Sequence, residues 1–307
     1  MKEFFSQGKV LLTAEYAVLE GVKALALPTI KGQSLTVKTT ESQSIIWKAF
    51  THDDQLWIDA TFDFQFRCIY AGDTSPKVIE KLVLILQVME TLSPFFYKRG
   101  VEITTRLKFP QDWGLGSSST LINKLAQWLK INPYILLEKT FGGSGYDLAA
   151  AQSKGALFYT RNAFSPTIEK VSFDPPFKDN LYFVYLNQKR NSQEAIKGYA
   201  ERKSLSQSNK NRLEKIGEEL LSCKAQENFN LLLKEHEDIT GAFLGEPPVQ
   251  ARLFPDFNGQ IKSLGAWGGD FVLVSGNHES PQYFMAKGYT TVISYRNFIL
   301  PLQEVIS

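Results

Sequence analysis

Near the start of the chain, hydrophobic and polar positions alternate with a period of two in short runs such as Ser34–Thr40 and Ser44–Lys48, the pattern of half-buried strands. The period then lengthens. Apolar residues recur at three- and four-residue spacing over roughly 76–92, 118–130 and 133–141, which predicts three helices, and Val101–Leu107 alternates as a strand between the first two. Asn132-Pro133 separates the second and third helices, because asparagine can cap and proline suits the first helical turn. A further helix is predicted over Tyr146–Ser153, after which Gly155 leads into the strand Ala156–Thr160. Pro166, Pro175 and Pro176 mark 162–180 as the expected seam between domains, and Leu181–Leu186 reads as a buried strand. Two long helical patterns follow over 205–224 and 226–244, the first with Leu213, Ile216 and Leu220 as its apolar stripe. A strand Phe271–Ser275, a short helix and a last strand near Thr290–Tyr295 complete the chain. Strands and helices mixed in both halves predict two α+β domains, 1–165 and 166–307, with a cleft between them.

Composition narrows the class without changing this picture. At 307 residues the chain is long for one core and suits two packed domains. It is 43% hydrophobic and 21% charged, the balance of an ordinary globular protein, and a net charge of +2 gives no reason to expect a nucleic-acid or membrane partner. Cys68 and Cys223 lie far apart and form no metal-ligand pattern; a reduced pair is expected. The first residues lack the continuous apolar region of a signal peptide, so a cytoplasmic location is expected. Val78–Leu92 carries Glu80, Lys81, Gln87 and Glu90, and so reads as a buried amphipathic helix.

The chemistry concentrates in glycine-rich segments. Gly114-Leu115-Gly116-Ser117-Ser118-Ser119 stands directly before Leu121, Leu125 and Leu129, which share one helical face. A glycine loop opening a helix is an anion site: the N–H groups of the first turn point outward, the helix dipole favours negative charge, and glycine lets the backbone approach phosphate oxygens. The same residues also fit a tight turn followed by a serine-capped helix, and spacing leaves both readings open. Asp147 follows Gly142-Gly143-Ser144-Gly145 and either projects a carboxylate into a cleft or favours the dipole of a helix first turn. Lys189-Arg190-Asn191-Ser192 would suit an anionic substrate group or form a solvated turn. No Gly-x-x-x-x-Gly-Lys-Ser/Thr loop, no complete dinucleotide fingerprint and no zinc-protease helix is present.

Four segments, Gly8–Gly21, Gly114–Thr120, Gly142–Ala149 and Ser263–Asp270, resemble the signature motifs of the GHMP kinases, in that family's order and over nearly the whole chain. The family includes galactokinase and homoserine, mevalonate and phosphomevalonate kinases. The resemblance implies a two-domain α+β fold, with an N-terminal nucleotide-binding domain, a ferredoxin-like C-terminal domain and the active site between them. It implies ATP-dependent phosphoryl transfer to a small molecule, with ATP and Mg2+ as cofactors. It assigns Gly114 to Ser119 to ATP, Ser118 (or Ser117) to the metal, and Asp147 and Lys9 to catalysis. Glu15, Tyr16, Lys189, Ser192, Gly265, Ala266 and Gly268 become candidate substrate contacts.

Ala14-Glu15-Tyr16 and Gly268-Gly269-Asp270 are similar to the phosphomevalonate kinase branch, which makes phosphomevalonate the expected acceptor, ahead of mevalonate or another polyol or sugar-like metabolite. Three positions depart from the pattern. Ala14 replaces a usual glycine, Trp267 replaces a small residue and is expected to narrow the pocket or block part of it, and Glu138 is two residues out of register for an acidic magnesium ligand. These departures leave a catalytically weakened nucleotide-binding sensor as the reading from another class. A homodimer is compatible with the resemblance.

Overall fold

A computed structural model describes residues 1–94, 99–188, 204–265, 267 and 269–301. The chain folds as two compact units. One comprises Met1–Gly8, Lys31–Gln111 and Leu115–Gln152; the other comprises Lys9–Ile30, Asp112–Gly114 and Ser153–Ser307. This division differs from the single boundary at 165 that the proline-rich seam suggests. Its cause is strand β2 (Ala24–Thr40), whose 17 residues supply both units. The end of β2 pairs with β6 (Gly100–Leu107), while Ala24–Ala26 pair with β7 (Leu157–Thr160). Within the expected seam, Thr167–Lys170 forms strand β8 against β7.

In the first unit, strand order runs β5 (Cys68–Ala71), β4 (Leu56–Phe62), β3 (Ile45–Phe50), β6, β2, and strand β1 (Lys2–Leu11) also pairs with β2. All the pairs along that order are antiparallel except β3 with β6. Alternation decides which face is covered. Ile45, Trp47 and Ala49 of β3, Ile58, Ala60 and Phe62 of β4, and Val101 and Ile103 of β6 are buried together, as a period of two requires. Leu82, Ile85, Leu86 and Met89 of α1 (Pro76–Leu92) and Ile122, Leu125 and Ala126 of α2 (Ser117–Leu129) join that core at helical spacing. Helix α3 (Pro133–Thr140) starts as expected: Asn132 accepts a hydrogen bond from the Tyr134 N–H and proline takes the first position. Helix α4 (Tyr146–Gln152) packs on α2.

The second unit holds a four-stranded antiparallel sheet, ordered β10 (Gln260–Ser263), β11 (Phe271–Ser275), β9 (Leu181–Tyr185), β12 (Val292–Ser294). Helices α5 (Gln207–Ser222), α6 (Gln226–Leu244) and α7 (Val249–Leu253) separate β9 from β10, α8 (Ser280–Ala286) separates β11 from β12, and α9 (Tyr295–Phe298) ends the order. The strand order and the helical crossovers are those of a ferredoxin-like βαββαβ unit. Its core gathers Val184, Val249, Phe254, Ile261, Val272, Val274 and Phe284. Cys68 and Cys223 are free thiols, and no described helix is long and apolar enough to cross a membrane.

Close packing at Gly32 gives the fold a direct test. A methyl group there would lie 2.1 Å from the Ser6 carbonyl oxygen and 2.8 Å from the Phe5 ring, so the backbone must move to admit it. Gly32→Ala is expected to lower stability by about 1–3 kcal/mol, read as a lower urea midpoint at unchanged slope. An unchanged midpoint would contradict this packing.

Candidate functional site

Two left-handed glycines shape the head of α2. Gly114 has φ 65° and Gly116, the N-cap residue, has φ 87°, conformations that side-chain-bearing residues rarely adopt. Because glycine and not serine caps α2, the serine-capped alternative is corrected. The first intrahelical bond runs from the Thr120 N–H to the Gly116 carbonyl, so the N–H groups of Ser117, Ser118 and Ser119 have no acceptor within the helix. The hydroxyls, which spacing could not separate, now differ. Ser119 is buried and donates to the Gly116 carbonyl at 2.9 Å, and Thr120 donates to Gln33 Oε1 at 2.8 Å. Ser117 and Ser118 are half-buried, and Leu115 anchors the loop in the interior.

Helix α4 opens in the same way. Gly142, Gly143 and Gly145 all have positive φ, and nothing lies within 4 Å of where a methyl group would stand on Gly142 or Gly143. Asp147 occupies the first turn of α4, half-buried. Glycine-rich turns thus precede two helices that pack on each other, and the turn before α4 presents an unobstructed glycine surface.

In the second unit, Asp270 packs against the α-carbon of Gly114: a methyl group on that glycine would meet Asp270 Oδ2 at 2.2 Å. The preceding turn is fixed by the Tyr185 hydroxyl, which donates to Asp112 Oδ2 at 2.9 Å, and by Trp113, edge-on to Phe271 with centroids 5.3 Å apart. Desolvation and the bond to Asp112 both push the Tyr185 phenol up from its usual range. Sequence reading missed Asp112, Tyr185 and Asp270 as supports of the loop.

It also missed a buried ionic cluster. Lys262 Nζ donates to Glu15 Oε1 at 2.6 Å and to the Ser263 carbonyl at 2.9 Å, and stands 3.5 Å from Glu237 Oε1. Ser263 donates to Glu237 Oε2 at 2.8 Å. The Ala14 N–H donates to His236 Nε2 at 2.9 Å, so that nitrogen is an acceptor, the proton sits on Nδ1, and Thr240 Oγ1 is its partner at 3.4 Å. Glu15, Glu237, His236 and Lys262 are each at most 1% exposed. Burial, opposed by Lys262, raises Glu15; burial, opposed by Lys262 and reinforced by the neighbouring Glu15 charge, leaves the Glu237 carboxyl at about 7. Burial and the neighbouring Lys262 charge depress His236, which keeps its ring neutral, so the 3.4 Å approach of Glu15 Oε2 is not an ion pair.

The sequence-predicted residues fall as follows. Lys9 and Glu15 are buried in the second unit, and the Glu15 carboxylate is engaged by Lys262 instead of lining a surface. Tyr16 is half-buried against Leu244 and Trp267, with φ 62°. Trp267 is 0% exposed, and its ring fills this small core. Gly265 has φ 59° with open space beyond it. Ala266, Gly268, Lys189 and Ser192 lie outside the described residues. Among the described residues no three His, Cys, Asp or Glu side chains form a metal-holding group.

No family model and no curated protein matches the chain. Solved structures do. The Streptococcus pneumoniae phosphomevalonate kinase in complex with phosphomevalonate and AMPPNP aligns with TM-score 0.68 at 15% identity, over 96% of this chain and 98% of that one. The Methanococcus jannaschii mevalonate kinase gives 0.65 at 18%, over 95% and 96%. The Lactococcus lactis galactokinase complexed with galactose gives 0.67 at 14%, over 95% and 92%. The chain has the GHMP kinase fold over nearly its full length.

The ionic cluster yields two expected outcomes. Lys262→Met leaves two carboxyls buried without their cation and should cost about 3–5 kcal/mol in a denaturation experiment. Folded Glu237 holds its proton up to about pH 7, whereas unfolded it loses it near 4.5. Relative to Glu237→Gln, wild-type stability should therefore fall as pH rises from 4.5 to 7, by about 3 kcal/mol in all, and run level above that. His236 opposes this trend below pH 6.5 but is common to both proteins, so its contribution cancels in the difference. A pH-independent difference would contradict the buried protonated carboxyl.

Proposed function

We propose that this chain is an ATP-dependent small-molecule kinase that phosphorylates phosphomevalonate. The observation that carries the reading is the head of α2, where Gly116 caps the helix and the Ser117 to Ser119 amides have no helical acceptor. Phosphoryl transfer asks a protein chiefly to hold phosphates in line and neutralise spreading charge. Backbone amides and a helix dipole do this without reorganisation. The fold shared with a phosphomevalonate kinase crystallised with AMPPNP supports a nucleotide in this role.

In this reading the Gly114–Ser119 loop cradles the nucleotide phosphates, and the Ser118 hydroxyl helps to hold magnesium. Ser119, tied to the Gly116 carbonyl, keeps the loop in shape. Magnesium supplies charge neutralisation on the transferring phosphoryl group. Asp147 accepts the proton of the attacking group or holds a neighbouring cation, and Lys9 stabilises transition-state charge.

The deciding experiment is product-resolved ATP turnover with magnesium, offering phosphomevalonate, mevalonate and galactose in parallel. Phosphorylation of phosphomevalonate is expected, and turnover of another acceptor alone would reassign the substrate. A second outcome follows from acid–base chemistry. A hydroxyl acceptor must lose its proton, whereas a phosphate oxygen is already largely deprotonated at neutral pH, its second pKa being about 6. Asp147→Asn should therefore lower kcat by about 100-fold or more on any hydroxyl acceptor, and by less on phosphomevalonate. Equal losses on both would assign Asp147 a purely electrostatic role.

A further inference from the structure

Lys124 sits in the middle of α2 with 0% of its surface exposed, and its Nζ has no hydrogen-bond partner among the described residues. Helices α3 and α4 pack on α2. The titratable groups they carry are Tyr134, Glu138 and Lys139 on α3, and Tyr146 and Asp147 on α4; none of them bonds this amine. Burial alone holds its pKa well below the usual lysine value and favours the uncharged form. Methionine or leucine would fill the same space without hiding an unsatisfied amine, so packing does not account for the lysine.

Its position does. Lys124 lies four residues after Thr120 and seven after Ser117, on the same helix face. Long side chains on a helix lean toward its N-terminus, which here is the end where the Ser117 to Ser119 amides emerge. The α-carbons of Ser117 and Lys124 are ~10 Å apart along the axis, and the lysine stem spans part of that interval. At ~8 Å and an effective dielectric constant of ~20, each negative charge strengthens proton binding by the amine about thirtyfold.

We propose that Lys124 is the counter-charge for phosphate bound at the head of α2: when the anion arrives, Nζ takes one proton from solvent and becomes an ammonium beneath it. The proposal rests on the kinase reading, in which the anion is a nucleoside triphosphate. It makes nucleotide binding proton-linked, so that affinity falls as pH rises through the range in which the bound complex loses that proton.

The test is calorimetric titration of the full chain with ATP at pH 8, where the terminal phosphate is already deprotonated, in Tris and in HEPES. The two buffers differ in ionisation enthalpy, so the difference in heat counts protons. Wild type should take up about one proton per ATP bound. Lys124→Met should take up none, bind ATP at least tenfold more weakly, and yet melt at a higher temperature, because it removes a buried unpaired amine. A lysine kept only for structure would melt lower on substitution and leave the proton count unchanged, which would overturn the proposal. ATP binding by wild type without proton uptake overturns the Lys124 role alone. No ATP binding by folded wild type overturns the kinase reading and this inference with it.

Discussion

Lys262 carries a full charge into a region where it has no measurable exposure, and it persists there because two glutamates and a carbonyl oxygen reach it. Isolated, an ammonium in such a place would cost several kcal/mol. The same bonds constrain the backbone: Glu15 is held by Lys262, and the Ala14 N–H is held by His236. These contacts flank two residues, Ala14 and Tyr16, with φ near 60° and no glycine to ease it. A turn of that shape has little intrinsic stability. The ionic cluster holds it in place, and with it the segment that leads from Lys9 to Tyr16.

The first unit meets a different constraint. Its two glycine-rich turns leave backbone N–H groups at the heads of α2 and α4 without acceptors inside the helix. Ser119 and Thr120 turn inward to bond the loop carbonyl and Gln33, which stiffens the turn and leaves its outer edge to Ser117 and Ser118. The second unit contributes Gly114, on whose α-carbon Asp270 packs so tightly that no other residue fits.

The helices were legible because their apolar residues recur with the helical period: Pro76–Leu92 and Gln226–Leu244 match the pattern residue for residue. The glycine loops were legible because positive φ selects glycine. Strand β10 was not, since four residues with a lysine among them carry no strand signal, although Ile261, Lys262 and Ser263 are buried. The ionic cluster was invisible for a geometric reason, its members lying 222 and 247 positions apart. Lys124 did leave a trace: it stands three residues after Leu121 and four before Trp128, on the apolar side of its helix. Composition could not show that it lacks a partner. The division into units was likewise hidden, because it depends on one long strand serving both.

That division has a consequence for how the chain is made. The polypeptide passes between the units five times, yet the last residue of the first unit is Gln152, so that unit can close while the rest of the chain is still being added. The segment Lys9–Ile30 is made before most of the first unit but belongs with Ser153–Ser307, which follow it. At ~5–20 residues per second, Glu15 waits ~12–50 s for Lys262, and throughout that interval its carboxylate stands in water. Synthesis therefore includes a period in which the turn at Ala14–Tyr16 lacks the buried cation that holds it.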